Sequence, residues 1–218
     1  MSDSITVENA TKNFKENVLF HNINLQMKAG SSYGFIGFNG CGKSVFLKAI
    51  CGFSRLSSGR ILLNDKEIGK DIDFIENAGV IIETPSFMEH LSGLENLLLI
   101  AQIQKKIDKS QVEDALTMLG LYDDRNKAVK KYSLGMKQKL RIAQAIMEQP
   151  QILILDEPSN GLDKNSVALL REYLQSFVKH GGLLIMTSHN KQDIELCCEN
   201  IYEFSNGTLI PVQVPCVV

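Results

Sequence analysis

The stretch Gly37-Phe38-Asn39-Gly40-Cys41-Gly42-Lys43-Ser44 matches the phosphate-loop pattern G-x-x-x-x-G-K-[ST] at every fixed position. It directly follows the apolar run Tyr33-Gly34-Phe35-Ile36 and directly precedes Val45-Phe46-Leu47-Lys48-Ala49-Ile50. These flanks predict a strand, a loop and a helix in that order, which is the context that the pattern requires. A glycine-rich turn with a chance Lys-Ser is therefore the weaker interpretation, and the stretch predicts a phosphate-binding loop.

The residue types of this loop suit an anion. Glycines let backbone N–H groups approach phosphate oxygens, and a helix that begins near Gly42 adds the positive end of its dipole. We expect Lys43 to place its charge on the β- and γ-phosphates and the Ser44 hydroxyl to bind Mg²⁺. A purine nucleoside triphosphate is the expected ligand.

Length and composition predict one domain over residues 1–218. The chain has 218 residues, of which 44% are hydrophobic and 22% charged, as in ordinary globular proteins. Its net charge is −2 and no dense Lys/Arg run is present, so nucleic acid is not an expected partner.

Cysteine usage and apolar segments predict a cytoplasmic protein. The chain has five cysteines without a C-x-x-C pair, and one of them, Cys41, lies in the phosphate loop, where a disulfide would obstruct the site. We expect the adjacent Cys197 and Cys198 to serve packing alone. The amino terminus has no secretory pattern, and runs such as Leu97–Ala101 are far shorter than the ~20 residues of a membrane span. Any membrane role is expected to come through another chain.

The amino-terminal part alternates apolar and polar residues at Ile5–Val7 and Ile23–Met27, which predicts antiparallel, half-buried strands. Phe14 falls in the polar segment Thr11–Asn17, which we predict to be a connection between strands. An aromatic residue in that place has little core to join, so we expect it to stack on a nucleotide base, with a surface aromatic covering a strand edge as the alternative.

A helical insertion is predicted between the strand Ala78–Ile82 and the second half of the chain. Ser92-Gly93-Leu94-Glu95 and Ser110-Gln111-Val112-Glu113 both have capping-box form, and a third helix is predicted to begin at Ser133. Before the insertion, Pro85 disfavours a continuation of the strand that ends at Glu83-Thr84. We expect the helical subdomain to span about residues 88–148.

The second half alternates strands and helices. Ile152–Leu155 and Leu183–Thr187 are unbroken apolar runs typical of strands covered on both faces, and a helix is predicted from Lys164 to Lys179 between them. A last helix, the strand Ile201–Phe204 and the hairpin signal Asn206-Gly207 follow. The predicted fold is α/β: a P-loop NTPase core with a mostly parallel sheet, an amino-terminal antiparallel β subdomain and the helical subdomain.

Polar residues follow both buried strands at their carboxyl ends, where ligands bind in open parallel sheets. Asp156 is in the place of a Mg²⁺ ligand, and Glu157 could orient or deprotonate a water. Two acids after a strand are by themselves more often a solvated strand end. With a phosphate loop on the same edge, the functional interpretation is favoured.

The chain resembles the ATP-binding subunit of an ATP-binding cassette (ABC) transporter over nearly its whole length. Besides the loop, the matching motifs are the signature Ser133-Leu134-Gly135-Met136, the Walker B segment Asp156-Glu157-Pro158, the D-loop Asn160-Gly161-Leu162-Asp163 and the switch histidine His189. Five elements in the family's order make this resemblance specific.

The resemblance implies ATP hydrolysis with Mg²⁺ in a pair of cassettes that powers an exporter. Phe14 would stack on adenine, Ser133 and Gly135 would contact the γ-phosphate held by a second copy or a close homologue, and His189 would hold or polarise that phosphate. Glu157, His189 and Lys43 are then the expected catalytic residues. The partner is an integral membrane permease, which keeps the subunit at the inner face of the cell membrane.

The chain departs from the family at two places. Glu83 stands where glutamine is usual, and the signature has Leu134 and Met136 where Gly and Gln are commonest. The extra carboxylate is expected either to add a metal contact, with Ser44 and Asp156, or to weaken nucleotide binding. Both variants resemble bacterial exporters of the bacitracin-resistance and lantibiotic-immunity type. The permease is expected to dock between Glu83 and the helical insertion.

Two alternatives from other classes remain. A soluble ATP-driven assembly or repair protein would use the same cassette without transport, but such proteins tend to carry a second cassette, a coiled-coil insertion or a nucleic-acid arm. A small-molecule kinase would share only the phosphate loop and would leave the signature helix and His189 unexplained.

Overall fold

Two sheets and a set of helices make up the fold. The computed structural model describes residues 3–15, 17–83 and 87–212. The strands are β1 Ser4–Phe14, β2 Asn17–Lys28, β3 Ser32–Ile36, β4 Ser58–Leu63, β5 Lys66–Glu67, β6 Ala78–Ile81, β7 Ile152–Asp156, β8 Leu183–Thr187, β9 Asn200–Ser205 and β10 Thr208–Val212. The helices are α1 Lys43–Ile50, α2 Gly93–Gln104, α3 Lys109–Met118, α4 Leu134–Ile146, α5 Lys164–Lys179 and α6 Lys191–Cys197, with a 3-10 turn at Val129–Lys131.

The larger sheet is mostly parallel, as predicted. Its order is β10-β9-β3-β8-β7-β6, and only the pairing of β10 with β9 is antiparallel. The central strands β7 and β8 are covered on both faces, which explains their unbroken apolar sequence. Because β3, β6, β7 and β8 run in one direction, the segments that follow them meet at one edge.

The smaller sheet, of order β2-β1-β4-β5, is antiparallel. Here the expected connection at Thr11–Asn17 is wrong: Phe14 is the last residue of β1 and pairs with Asn17. The register shifts between Val7 and Ala10 and again between Ala10 and Lys12. These bulges break the apolar alternation, and the polar sequence beyond them therefore does not look like a strand.

Helices α2, α3 and α4 form the predicted insertion, and two of their three predicted starts are confirmed. Ser92 caps α2 in a capping box with Glu95, and Ser133 caps α4. The third is wrong, since α3 is capped by Asp108 with Gln111, two residues before the predicted Ser110. The Asp108 carboxylate accepts from the Ser110 hydroxyl and from the N–H groups of Ser110 and Gln111, and these bonds hold its pKa below the usual value.

Helix α1 is fixed between the two sheets by aromatic packing. Phe46 makes edge contacts with Phe20 of β2, Phe35 of β3 and Phe204 of β9, at ring-centroid distances of 5.4–5.6 Å. All four rings are buried. The helix that follows the phosphate loop is therefore held rigidly against both sheets.

Cys51, Cys197 and Cys198 are buried packing residues. Burial raises the pKa of the Cys51 thiol to about 12 and that of Cys197 to about 11, and it also raises the pKa of the Cys198 thiol. Thr84, Pro85 and Ser86, which include the predicted strand stop, lie outside the described residues. Among the helices described, none is both long enough and apolar enough for a membrane span.

Candidate functional site

The phosphate loop follows β3 and wraps back into α1. Gly37, Gly40 and Gly42 have φ values of 146°, 83° and 115°, in the region that L side chains rarely adopt. A Cβ atom at Gly37 would also lie 2.8 Å from Sγ of Cys41. The loop therefore needs glycine at this position for both its conformation and its packing.

Lys43 directs its ammonium group into the loop. Its side chain is buried at 6% exposure, and Nζ donates to the carbonyls of Gly37, at 2.8 Å, and Phe38, at 3.2 Å. Both acceptors are neutral, so the ammonium keeps its full charge for an anion at the loop. The predicted role of Lys43 at the phosphates suits this placement.

Asp156 is held by a residue that the sequence did not single out. Oγ1 of Thr187, at the end of β8, donates to Oδ1 of Asp156 at 2.5 Å and accepts from the N–H of Glu157 at 3.1 Å. Thr187 is fully buried. One hydroxyl thus orients both acidic residues at the carboxyl end of β7. The available sequence signal for Thr187 was a polar residue at the end of an apolar strand.

Glu157 and His189 contact each other directly. Oε2 of Glu157 accepts from Nδ1 of His189 at 2.7 Å and from its backbone N–H at 3.1 Å. Because a carboxylate only accepts, Nδ1 carries the proton, and Nε2 is the nitrogen directed elsewhere. Glu157 has φ of 50°, a conformation that costs a non-glycine residue about 1–2 kcal/mol.

Glu83 lies at the same edge but is paired with a lysine. In the register of β6 and β7, Ile81 lies opposite Leu155, so Glu83 follows β6 beside the segment that carries Asp156 and Glu157. Its carboxylate forms an ion pair with Nζ of Lys48 on α1. The metal role expected for Glu83 stays a prediction.

The signature segment begins α4 and contacts the D-loop. The Ser133 hydroxyl accepts from the N–H of Met136 at 3.2 Å, and a Cβ at Gly135 would lie 2.9 Å from the carbonyl oxygen of Gly161. The side chain of Leu134 is 69% exposed. The Ser133 hydroxyl therefore caps the start of α4. This helix is a different element from the phosphate loop and α1.

A buried glutamine joins the signature helix to the Walker B segment. Nε2 of Gln138 donates to the carbonyl of Pro158 at 2.8 Å, and its Oε1 accepts from Nη1 of Arg141 at 2.9 Å. Gln138 was not predicted as a site residue, because its helical spacing from Ser133 carries no sign of this contact. On the D-loop, the N–H and hydroxyl of Ser166 hold the pKa of Asp163 below its usual value.

Phe14 remains half exposed at the end of β1, and Nζ of Lys12 lies 4.9 Å from its ring centroid. The Lys12 ammonium lies over part of the ring, and the accessible part of the ring is suited to stack on a nucleotide base.

The residues at this edge suit a nucleoside triphosphate with Mg²⁺. Glycines at the loop, a buried ammonium and the start of α1 are anion-binding features. In the ranges that the structure describes, no three His, Cys, Asp or Glu side chains are grouped as a metal site. The donors available are the Ser44 hydroxyl and the Asp156 carboxylate, whose oxygens suit Mg²⁺ when phosphates complete its shell.

Comparison with known proteins decides the family. A model described as ABC transporter matches residues 20–160. The chain belongs to the ABC transporter family. It is 38% identical over 208 residues to the bacitracin transport ATP-binding protein BcrA of Enterococcus faecalis, covering 94% of this chain and 68% of that protein. It is 32% identical over 206 residues to the lantibiotic transport ATP-binding protein SrtF of Streptococcus pyogenes, covering 94% and 89%.

The fold is that of solved ABC cassettes. The dimeric post-hydrolysis structure of the ATP-binding cassette MJ0796, bound to ADP and Pi, superposes with a TM-score of 0.86 at 20% identity, covering 97% of this chain and 99% of that one. The expected α/β cassette fold is thereby confirmed, and so is the family. The chain is an ATP-binding subunit of the ABC transporter type.

Proposed function

We propose that this subunit binds Mg²⁺ and ATP at residues 37–44 and hydrolyses the γ-phosphate bond with Glu157 as general base. The observation that carries the proposal is the double hydrogen bond from His189 to Oε2 of Glu157. It fixes the carboxylate at the edge where the loop and Asp156 also lie. We assign Oε1, the other carboxylate oxygen of Glu157, to accept the proton of the attacking water.

Each remaining residue has one task in this proposal. Lys43 binds the β- and γ-phosphates, and its buried ammonium loses little side-chain freedom when an anion arrives. Ser44 and Asp156 hold Mg²⁺, with Asp156 oriented by Thr187. The metal, when bound, neutralises phosphate charge. Nε2 of His189 contacts the γ-phosphate, and Phe14 stacks on the adenine.

A second cassette, identical or closely homologous, completes the site in this proposal. Ser133 and Gly135 stand at the start of α4, where N–H groups and the helix dipole attract an anion. We assign them to the γ-phosphate bound by the partner cassette. The exposed Leu134 lies in the interface between the two copies.

We also propose the surface that docks the permease. A cavity of about 950 Å³ opens between β6 and the carboxyl ends of α2 and α4, with Phe53, Ile100, Ile103 and Met147 among its lining residues. Ile103 is 78% exposed and Phe53 about half exposed, so the cavity offers accessible apolar side chains within a lining that also contains many polar residues. A helical segment of a membrane protein is the occupant that we assign to it. The subunit would then lie on the inner face of the cell membrane.

The relatives BcrA and SrtF, whose names state bacitracin and lantibiotic transport, favour the export of drugs or antimicrobial peptides as the process powered.

Hydrolysis is tested by phosphate release from Mg²⁺-ATP without an acceptor molecule. We expect steady release by the wild type and none by Lys43→Ala. Transfer that requires an acceptor hydroxyl would contradict the proposal and indicate a kinase.

Docking is tested by membrane association of the tagged subunit in its own cells. We expect Ile103→Glu to release the subunit from membranes while ATP binding persists. Leu169→Glu on α5, an apolar position that is 51% exposed and lies outside the cavity, is the matched control. Equal membrane association of both variants would place the permease elsewhere.

A further inference from the structure

The ion pair between Lys48 and Glu83 joins the helix after the phosphate loop to the end of β6. Lys48 is the sixth residue of α1, and Glu83 lies two residues beyond β6. Their side chains are 27% and 66% exposed, and an ion pair with this much exposure contributes little to the free energy of unfolding. Any functional role of the pair must therefore come from its position at the edge of the sheet that carries the nucleotide site.

Both partners lie beside the nucleotide site. Lys48 follows Ser44 by four residues on α1, and side chains four apart share one face of a helix. Glu83 comes after β6 at the edge where β7 carries Asp156 and Glu157. The pair is thus bordered by Ser44 on α1 and by Asp156 at the end of the neighbouring strand β7.

Glu83 adds a third carboxylate to an edge that receives a triphosphate. Like charges at a protein surface repel each other even without contact, so an unpaired Glu83 would repel the nucleotide. Lys48 supplies the opposite charge at contact distance and cancels this repulsion.

The backbone gives independent support. Glu83 has φ of 62°, a left-handed conformation that a non-glycine residue keeps only when its surroundings determine it. The bond to Lys48 is the side-chain contact that the structure describes for this residue. It fixes where the carboxylate points.

We propose that Lys48 is a positioning residue for Glu83: it holds the carboxylate about one helical turn along α1 beyond Ser44, keeps it from turning toward the phosphates, and thereby sets the affinity for ATP. The inference rests on the proposed binding of Mg²⁺-ATP at residues 37–44. It assigns Lys48 no contact with the nucleotide, and the effect of replacing Lys48 is predicted to depend on whether residue 83 carries a charge.

A double-mutant cycle tests this dependence. The dissociation constant of a fluorescent ATP analogue is measured with Mg²⁺ and again in EDTA for the wild type, Lys48→Gln, Glu83→Gln and the double variant. We expect Lys48→Gln to raise it about 3- to 10-fold, and less at high ionic strength. Glu83→Gln alone is expected to change it less than about 2-fold. The double variant is expected to return close to the wild-type value, as is Lys48→Arg.

The ion pair between Glu67 of β5, in the smaller sheet, and Lys70, in the turn that follows, provides the matched control. Removal of the charges of this control pair should leave the dissociation constant of the ATP analogue unchanged. Thermal unfolding should shift little in all variants, which separates the effect from stability. The inference would be overturned if Lys48→Gln left the affinity for the ATP analogue unchanged. It would also be overturned if Glu83→Gln changed the dissociation constant by the same factor in the wild type and in the Lys48→Gln variant. Nucleotide affinity retained in Lys43→Ala would instead overturn the proposed function.

Discussion

Oε2 of Glu157 accepts two hydrogen bonds from one residue, the backbone N–H and ring Nδ1 of His189. The contact joins the segment after β7 to the segment after β8. A carboxylate with one oxygen bound in this way keeps a fixed orientation, and the same bond determines which imidazole nitrogen carries a proton. The two residues therefore act as a unit, and removal of either should affect the other.

His189→Ala is expected to lower hydrolysis by about 100-fold, because it removes the proposed γ-phosphate contact and one of the two hydrogen bonds that orient Glu157. Binding of ATP should weaken much less, since the loop and Lys43 are unchanged. Steady-state phosphate release and the affinity for a fluorescent ATP analogue measure the two effects. His180→Ala, at the exposed end of α5, is the control and should hydrolyse ATP normally. A fully active His189→Ala protein would exclude this histidine from the reaction.

Thr187→Val removes one hydroxyl and keeps the shape of the side chain. Asp156 loses its hydrogen-bond donor, and the metal ligand is no longer oriented. We expect a higher Mg²⁺ requirement for hydrolysis and a loss of about 1–3 kcal/mol in the free energy of unfolding. Mg²⁺ titrations of activity and urea unfolding measure these effects. Thr187→Ser should restore the Mg²⁺ dependence, and identical titrations for the Val variant and the wild type would refute the role of the hydroxyl.

Lys43→Ala is expected to abolish tight ATP binding, because it removes the buried positive charge at the loop. Equilibrium binding of a fluorescent ATP analogue is the measurement. Lys28→Ala, an exposed residue at the end of β2, serves as control. Near-wild-type affinity in Lys43→Ala would contradict the phosphate-loop assignment.

The sequence predicted those parts of the fold and site in which the signal is local. Apolar runs located β7 and β8, and the bounds of α5 agree with the structure at both ends, Lys164 and Lys179. The expected site residues stand at the ends of such elements. Lys43 begins α1, Asp156 and Glu157 lie at the carboxyl end of β7, and His189 comes shortly after β8. Topology then places them at one edge.

What the sequence did not predict depends on contacts between distant residues. The partner of Asp156 is Thr187, thirty-one positions away, and that of Glu83 is Lys48, thirty-five positions away. Gln138 likewise bonds to Pro158 across the boundary between α4 and the Walker B segment. Local patterns carry no information on such pairs. At Phe14, bulges in β1 concealed the strand.

Glu157→Gln tests the central claim most directly, because it keeps the shape of the side chain and removes its charge and basicity. We expect turnover to fall by about 100-fold or more while ATP binding survives. ATP would then persist between the loop of one copy and Ser133 of the other, and the dimer would accumulate.

Size-exclusion chromatography with light scattering, run on this variant with ATP and with ADP, is the measurement. We expect the mass of a dimer with ATP and of a monomer with ADP, together with the loss of hydrolysis. A Glu157→Gln protein that hydrolyses ATP at the wild-type rate would exclude Glu157 as the general base.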